Sequence, residues 1–296
     1  LHWRLDAGSE SVTLKNIIGI DHAVVVVKDL DAAAENWRRL GFTISPRGTH
    51  SAKMGTGNTT IMLGSDYIEL LGVLVETEHN APTRAFLTRA GGGIERVAFT
   101  TLDASAGAEE IRARGFEPIG PIDFERPVTM PDGALNAAKF SVFQWPVDEA
   151  PGGLRIFACQ HKTRETVWIP QLQRHANTAK AIARVIIVSP TPEGDAQHLA
   201  RMIDGEVVSG SDGALVVPSG SGRADFAFAT VDQLAREYPG VSLAGLPARG
   251  GAALVLKAGD LAAAEQVLRG AGVKSGSSVV VPPTAANGVM LAFVAE

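Results

Sequence analysis

Cysteine is nearly absent. Cys159 is the only one in 296 residues, which excludes an intrachain disulfide and any cysteine-rich metal site. Cationic runs are missing too: 27 Lys and Arg stand against 32 Asp and Glu, the net charge is -5, and nothing forms an electrostatic footprint for nucleic acid. Long apolar runs are lacking, and stretches such as residues 23–27 are far too short to span a bilayer, so no membrane partner is expected. The opening Leu1-His2-Trp3-Arg4 has no basic start, apolar centre or small-residue cleavage site, and a cytoplasmic location is the expectation. The rest is ordinary globular composition, 45% apolar and 20% charged, at a length that suggests two domains with a core each.

What the chain does have is a repeat. Residues 20–29, Ile-Asp-His-Ala-Val-Val-Val-Val-Lys-Asp, read as a strand with one histidine among valines and a turn at Lys28-Asp29. A helix over 31–40 then stops at Gly41. The pattern returns 74 residues later, where 22–42 aligns without a gap on 96–116. Asp29, Glu35, Arg38, Gly41 and Phe42 match Asp103, Glu109, Arg112, Gly115 and Phe116. A third copy opens a helix at Asp260-Leu261 and closes at Ala271-Gly272-Val273. After the first helix come strand patterns at 42–44 and 54–63, the turn Gly64-Ser65-Asp66, and a hairpin partner at 67–71. Such order, strand, helix and three strands, predicts modules at 16–75, 94–161, 181–245 and 250–296. The modules pair into domains at 16–178 and 179–296, behind an N-terminal arm at 1–15. A short helix over 82–88 connects the first two modules, and a loop carries Pro127 and Pro131. Segment 162–178, with Trp168, His175 and Asn177, either crosses the mouth of the first domain as a lock or supplies a lid.

Paired modules that open like Asp21-His22-Ala23-Val24 and close like Tyr67-Ile68-Glu69-Leu70 resemble the vicinal oxygen chelate superfamily, which includes glyoxalase I, extradiol dioxygenases and bleomycin-resistance proteins. Within it, Met54-Gly55-Thr56-Gly57-Asn58, Cys159-Gln160-His161 and Gln173-Arg174-His175-Ala176-Asn177 look like those of bacterial glyoxalase-like proteins. The resemblance implies an α+β fold of four βαβββ modules paired into two open-barrel domains. It also implies a site in the concave face of the first, a small-molecule substrate and a homodimer.

In that superfamily a divalent metal is held by the first and last strands of each module. Carried over, module one offers His22 and Glu69, while module two offers Arg96 and Phe157, which are not ligands. The metal set is therefore incomplete, and the site holds either a divalent metal or none. His161 lies four residues past Phe157, roughly 13 Å along an extended strand, and reaches the site only through a bulge or register shift. Glu95 would need a one-residue slip that turns its whole strand over. Without metal, His22 and Glu69 serve as base and orienting partner, and Arg96 either pairs with Glu69 or grips an anionic substrate. Asn58, His50, Arg126, His161 and His175 complete the expected substrate contacts. The second domain has Arg184, Ala253, Leu291 and Phe293 near the equivalent positions and is expected to carry no site. The leading expectation is a glyoxalase-like lyase or isomerase acting on a small oxygenated, anionic substrate. A non-catalytic sequestering protein is the alternative, and a ring-cleaving dioxygenase the third.

Overall fold

The computed structural model describes residues 14–210 and 213–296, so most of the expected N-terminal arm lies outside the described residues. Module one is β1 (Ile20–Val27), α1 (Leu30–Arg39), β2 (Gly48–Thr49), β3 (Thr56–Met62) and β4 (Tyr67–Val73). Helix α2 (Ala81–Ala90) leads to module two: β5 (Gly93–Thr100), α3 (Ala104–Arg112), β6 (Ile119–Thr129), β7 (Leu135–Gln144) and β8 (Arg155–His161). Module three is β9 (Ala179–Val188), α4 (Pro192–Ile203), β10 (Val208–Ser209), β11 (Leu215–Pro218) and β12 (Asp225–Ala229). Helix α5 (Val231–Glu237) joins it to module four: β13 (Gly250–Ala258), α6 (Leu261–Val267), β14 (Val273–Ser275), β15 (Ser278–Val281) and β16 (Met290–Ala295). The fold is α+β, and every module is βαβββ.

Local chemistry sets these elements. Asp29, Asp103 and Asp260 each cap a helix by accepting the backbone N–H three residues on, an interaction worth about 1 kcal/mol. In each module the first strand lies parallel to the last, and the middle strands add antiparallel beside it. Modules pair through antiparallel first strands, β1 with β5 and β9 with β13. Alternation divides β1: Ala23, Val25 and Val27 join the core under the helices, while Val24 and Val26 face the other side with Leu71. The two pairs fuse where Gly251 of β13 meets Ile94 of β5. A Cβ on Gly251 would lie 2.6 Å from the Ile94 Cβ, so this contact requires glycine.

Two expectations need correction, and one open alternative is decided. Residues 42–44 are not a strand: Pro46 carries no N–H for a ladder, and Ser45 instead exchanges hydrogen bonds with Thr60. The expected loop through Pro127 is the outer strand of the long β6–β7 hairpin, tolerated because β6 pairs only with β7. Segment 162–178 is a lock: His175 bridges the Thr43 N–H and the Met62 carbonyl, and Asn177 donates to the Leu40 carbonyl. Among the described residues no helix is long and apolar enough to cross a membrane.

Candidate functional site

The concave face of modules one and two encloses a cavity of about 200 Å³. Alternation aims Tyr67, Glu69 and Leu71 of β4 into it, with Ile68 and Leu70 turned to the core, as the pattern predicts. Arg155, Phe157 and Cys159 of β8 enter from the opposite side, and Asn58 and Thr60 line it from β3.

His22 stands at the centre. Its Nδ1 lies 2.7 Å from Asp21 Oδ1, and its Nε2 lies 3.6 Å from Glu69 Oε2. Its ring stacks on Tyr67 at 4.2 Å between centroids and meets Phe157 edge-on at 5.4 Å. Asn58 Nδ2 donates to Glu69 Oε1 at 2.7 Å.

Asp21 was not anticipated, since alternation sends it away from His22. The β1–β5 register shifts between Ile20 and His22, and this bulge lets adjacent residues share a face. Asp21 is wholly buried and also takes hydrogen bonds from His161 Nε2 at 2.9 Å and Thr100 Oγ1 at 2.8 Å. Burial alone would raise its pKa, but His161 and His22 overcome it and hold the carboxyl far below the usual range. With Asp21 ionised, the network assigns the His22 proton to Nδ1 and leaves the Nε2 lone pair toward the cavity. Burial also opposes ionisation of Glu69, yet His22, His50, Asn58 and Arg96 together lower its pKa.

The repeat extends to the bulges. Glu95, the counterpart of Asp21, sits at the second register shift of the β1–β5 pair. It therefore turns inward without inverting its strand, contrary to the expected slip. Arg96 does line the cavity, but its guanidinium pairs with Glu95 at 2.7 Å, and Arg155 pairs with the same carboxylate at 2.7 Å. No Arg96–Glu69 ion pair forms among the described residues.

His50 lines the cavity with Nδ1 2.8 Å from Thr56 Oγ1, and burial lowers its pKa. Arg126 and Phe157 line it as expected. His161 reaches the site from behind: it touches Asp21, packs edge-on to Trp168 at 4.8 Å, and is no part of the cavity wall. His175 is spent on the lock and does not reach the cavity. Cys159 is buried, and burial pushes its thiol pKa well up, so it is a packing residue here.

A divalent ion does not fit this donor set. Among the described residues, only Asp21, His22 and His161 bring three ligand-type atoms within 4.8 Å of one another. In that trio one oxygen already accepts from both rings, an arrangement satisfied by protons. On the cavity side His22 Nε2 and Glu69 Oε2 are suitably spaced, but Arg96 and Phe157 occupy the positions that would supply further ligands. Catalytic mid-row metals need about three protein ligands.

No curated protein matches the chain in sequence. Among solved structures it is similar to a hypothetical protein from Staphylococcus aureus, 14% identical over 94% of this chain and 99% of that one, with a TM-score of 0.66. It is also similar to a triple mutant of 4-hydroxymandelate synthase from Streptomyces coelicolor, 12% identical over 94% of this chain and 92% of that one, with a TM-score of 0.59. Both likenesses are of fold. A family model described as a glyoxalase-like domain matches residues 20–203, more than half of the sequence, and the chain belongs to that family.

Proposed function

We propose that the chain is a lyase or isomerase that moves a proton next to a carbonyl in a small oxygenated, anionic substrate, with His22 as the base. The observation that carries this reading is the setting of the His22 ring, with Nδ1 on Asp21 and Nε2 aimed at the cavity beside Glu69. Nε2 takes the proton from carbon, and the C–H electron pair becomes an enolate. Asp21 and Glu69, one at each ring nitrogen, stabilise the imidazolium so formed. Arg96, on the cavity wall, favours charge developing on the carbonyl oxygen. Nε2–H then returns the proton to the same carbon from the other face of a rotated enolate, or to the former carbonyl carbon where an adjacent hydroxyl passes its own proton to the other oxygen. A β-substituent instead leaves with its electron pair and takes the Nε2 proton. Phe140, Phe157 and Val142 keep the wall apolar, which limits hydration of the base.

The same aromatic wall favours a second reading, a sequestering protein that binds without reacting. Deuterium wash-in at the carbon next to the carbonyl, followed by NMR over a panel of 2-oxo acids, separates the two. The enzyme reading expects exchange with wild type and at least a hundredfold less with His22→Ala. Binding without exchange by wild type favours sequestration. Elemental analysis of both proteins belongs in the same experiment, because stoichiometric metal present in wild type and lost in His22→Ala would mean that these donors do hold an ion.

A further inference from the structure

A second cavity, of about 220 Å³, lies beside the first, and Thr60, Arg126 and Val167 line both. Neither cavity alone reaches the roughly 300–1,000 Å³ usual for small-molecule sites, whereas the two together do. Beyond the shared wall the second has a polar side with Ser45, Arg47 and Thr49 and an apolar side with Val128, Ile169 and Leu172.

Arg126 is the unusual member. On β6, Phe124, Arg126 and Val128 are partly buried, while Asp123, Glu125 and Pro127 are exposed, so a guanidinium occupies an otherwise apolar inner stripe. Arg96 and Arg155 share Glu95, but among the described residues Arg126 has no ion pair and no side-chain hydrogen bond. Burial lowers its pKa, with only Tyr67 and Glu69 acting on it from a distance in the other direction. Beside it, the buried carbonyl Oδ1 of Asn58 has no partner, although Asn58 Nδ2 is committed to Glu69. Gly48 of β2 makes room for both. A Cβ there would lie 2.7 Å from Asn58 Oδ1 and 3.1 Å from Arg126 Nη1. A cation and an acceptor left unpaired side by side in a cavity wall are costly unless a ligand completes them.

We infer that Arg126 anchors the carboxylate of a substrate that spans both cavities. The oxygenated carbon lies toward His22 and Glu69, a hydroxyl or enol hydrogen is donated to Asn58 Oδ1, and an apolar substituent lies against Val128, Ile169 and Leu172. The ligand class is thus a carboxylic acid with an adjacent oxygen function and an apolar side chain. This assignment rests on the anionic-substrate reading above and deepens it.

The test is isothermal titration of the full chain with 4-methyl-2-oxopentanoate, its methyl ester and pyruvate, read beside deuterium exchange. The branched acid is expected to bind wild type at least tenfold more tightly than either the neutral ester or pyruvate. Arg126→Gln should weaken the branched acid at least tenfold, with Arg126→Lys intermediate, and unliganded Arg126→Gln should melt no lower than wild type. Leu172→Ser should weaken the branched acid and leave pyruvate unchanged. Equal binding of acid and ester, equal binding by wild type and Arg126→Gln, or no binding of any acid overturns the assignment. Exchange that needs His22 but ignores Arg126 would sink the anchor and leave the proposed chemistry standing. Binding that needs Arg126 with no exchange would do the reverse.

Discussion

Replacing Asp66 by Asn should make the protein more stable at neutral pH and leave it unchanged in acid. Asp66 sits in the β3–β4 turn, 3% exposed, where both its oxygens share one donor, the Ile182 N–H, at 3.2 Å. Burial raises its pKa to about 7, and Ile182, Arg223 and Lys257 pull back less than burial pushes, with Asp21 adding repulsion. A folded-state pKa above the unfolded value of 3.8 means that Asp66 costs nothing below about pH 4, where both states hold the proton. Between pH 4 and 7 the unfolded chain ionises first and stability falls, and above 7 the loss is complete. At 1.36 kcal/mol per pKa unit, the difference between 3.8 and about 7 amounts to about 4 kcal/mol. Asn keeps a carbonyl for the Ile182 N–H and has no proton to lose. Urea unfolding of both proteins across about pH 3 to 8 should therefore show a gain that grows from near zero at the acid end to about 4 kcal/mol, or about 8 °C in melting temperature. A gain of the same size at every pH, or none at pH 8, would refute the claim that Asp66 is held protonated.

Asp21→Asn removes the charge to which His22, His161 and Thr100 all donate, and should cost about 3–5 kcal/mol by urea unfolding and abolish His22-dependent exchange. Because its folded pKa is depressed, the stability Asp21 contributes is present above pH 4, and wild type should lose it only as the pH falls well below that. Thr100→Val takes one of the three donors from buried Asp21 and should cost about 1–3 kcal/mol by urea unfolding; unchanged stability would remove Thr100 from the network. Cys159 should resist a thiol reagent in the folded protein and react at once in urea, and rapid native labelling would contradict its burial.

Features governed by neighbours in sequence were legible. The capping aspartates, the glycine stops and the two-residue period of β4 each act over a few residues, so a repeat of 74 residues announces the same element wherever it recurs. His22 and Glu69 were singled out because the resemblance places ligands there and alternation agrees, and both line the cavity. Asp21 and Glu95 were lost for one physical reason, since a bulge lets two adjacent residues share a face while the simple period forbids it. The signal was nonetheless present: modules one and two each open with two adjacent charged or polar residues in a run of apolar ones. The distance argument on His161 left out the sheet. It measured rise along β8 alone, whereas β8 is parallel to β5 and β5 antiparallel to β1, which lays the end of β8 beside the start of β1. Lateral neighbours are set by topology, and no spacing within one strand reports them.

The same topology ties the second pair of modules to the first. Arg223, in the loop before β12, reaches across to the carbonyls of Ile20 at 3.3 Å and Ser65 at 2.9 Å and donates to Thr100 Oγ1 at 3.0 Å. Thr100 has one hydrogen to give, and with Arg223 filling its lone pair that hydrogen points at Asp21 Oδ2. Asp21 in turn fixes which nitrogen of His22 carries the proton. Ser219 of the same loop takes the Ile20 N–H at 3.0 Å, at the place where the bulge leaves the β1 ladder irregular. A bulge exposes backbone groups that must be satisfied from outside the sheet. Here the C-terminal modules satisfy them, and Arg184 at their own equivalent position faces Asp225 at 4.0 Å in place of a histidine. The C-terminal half thereby holds the irregular strand that carries His22.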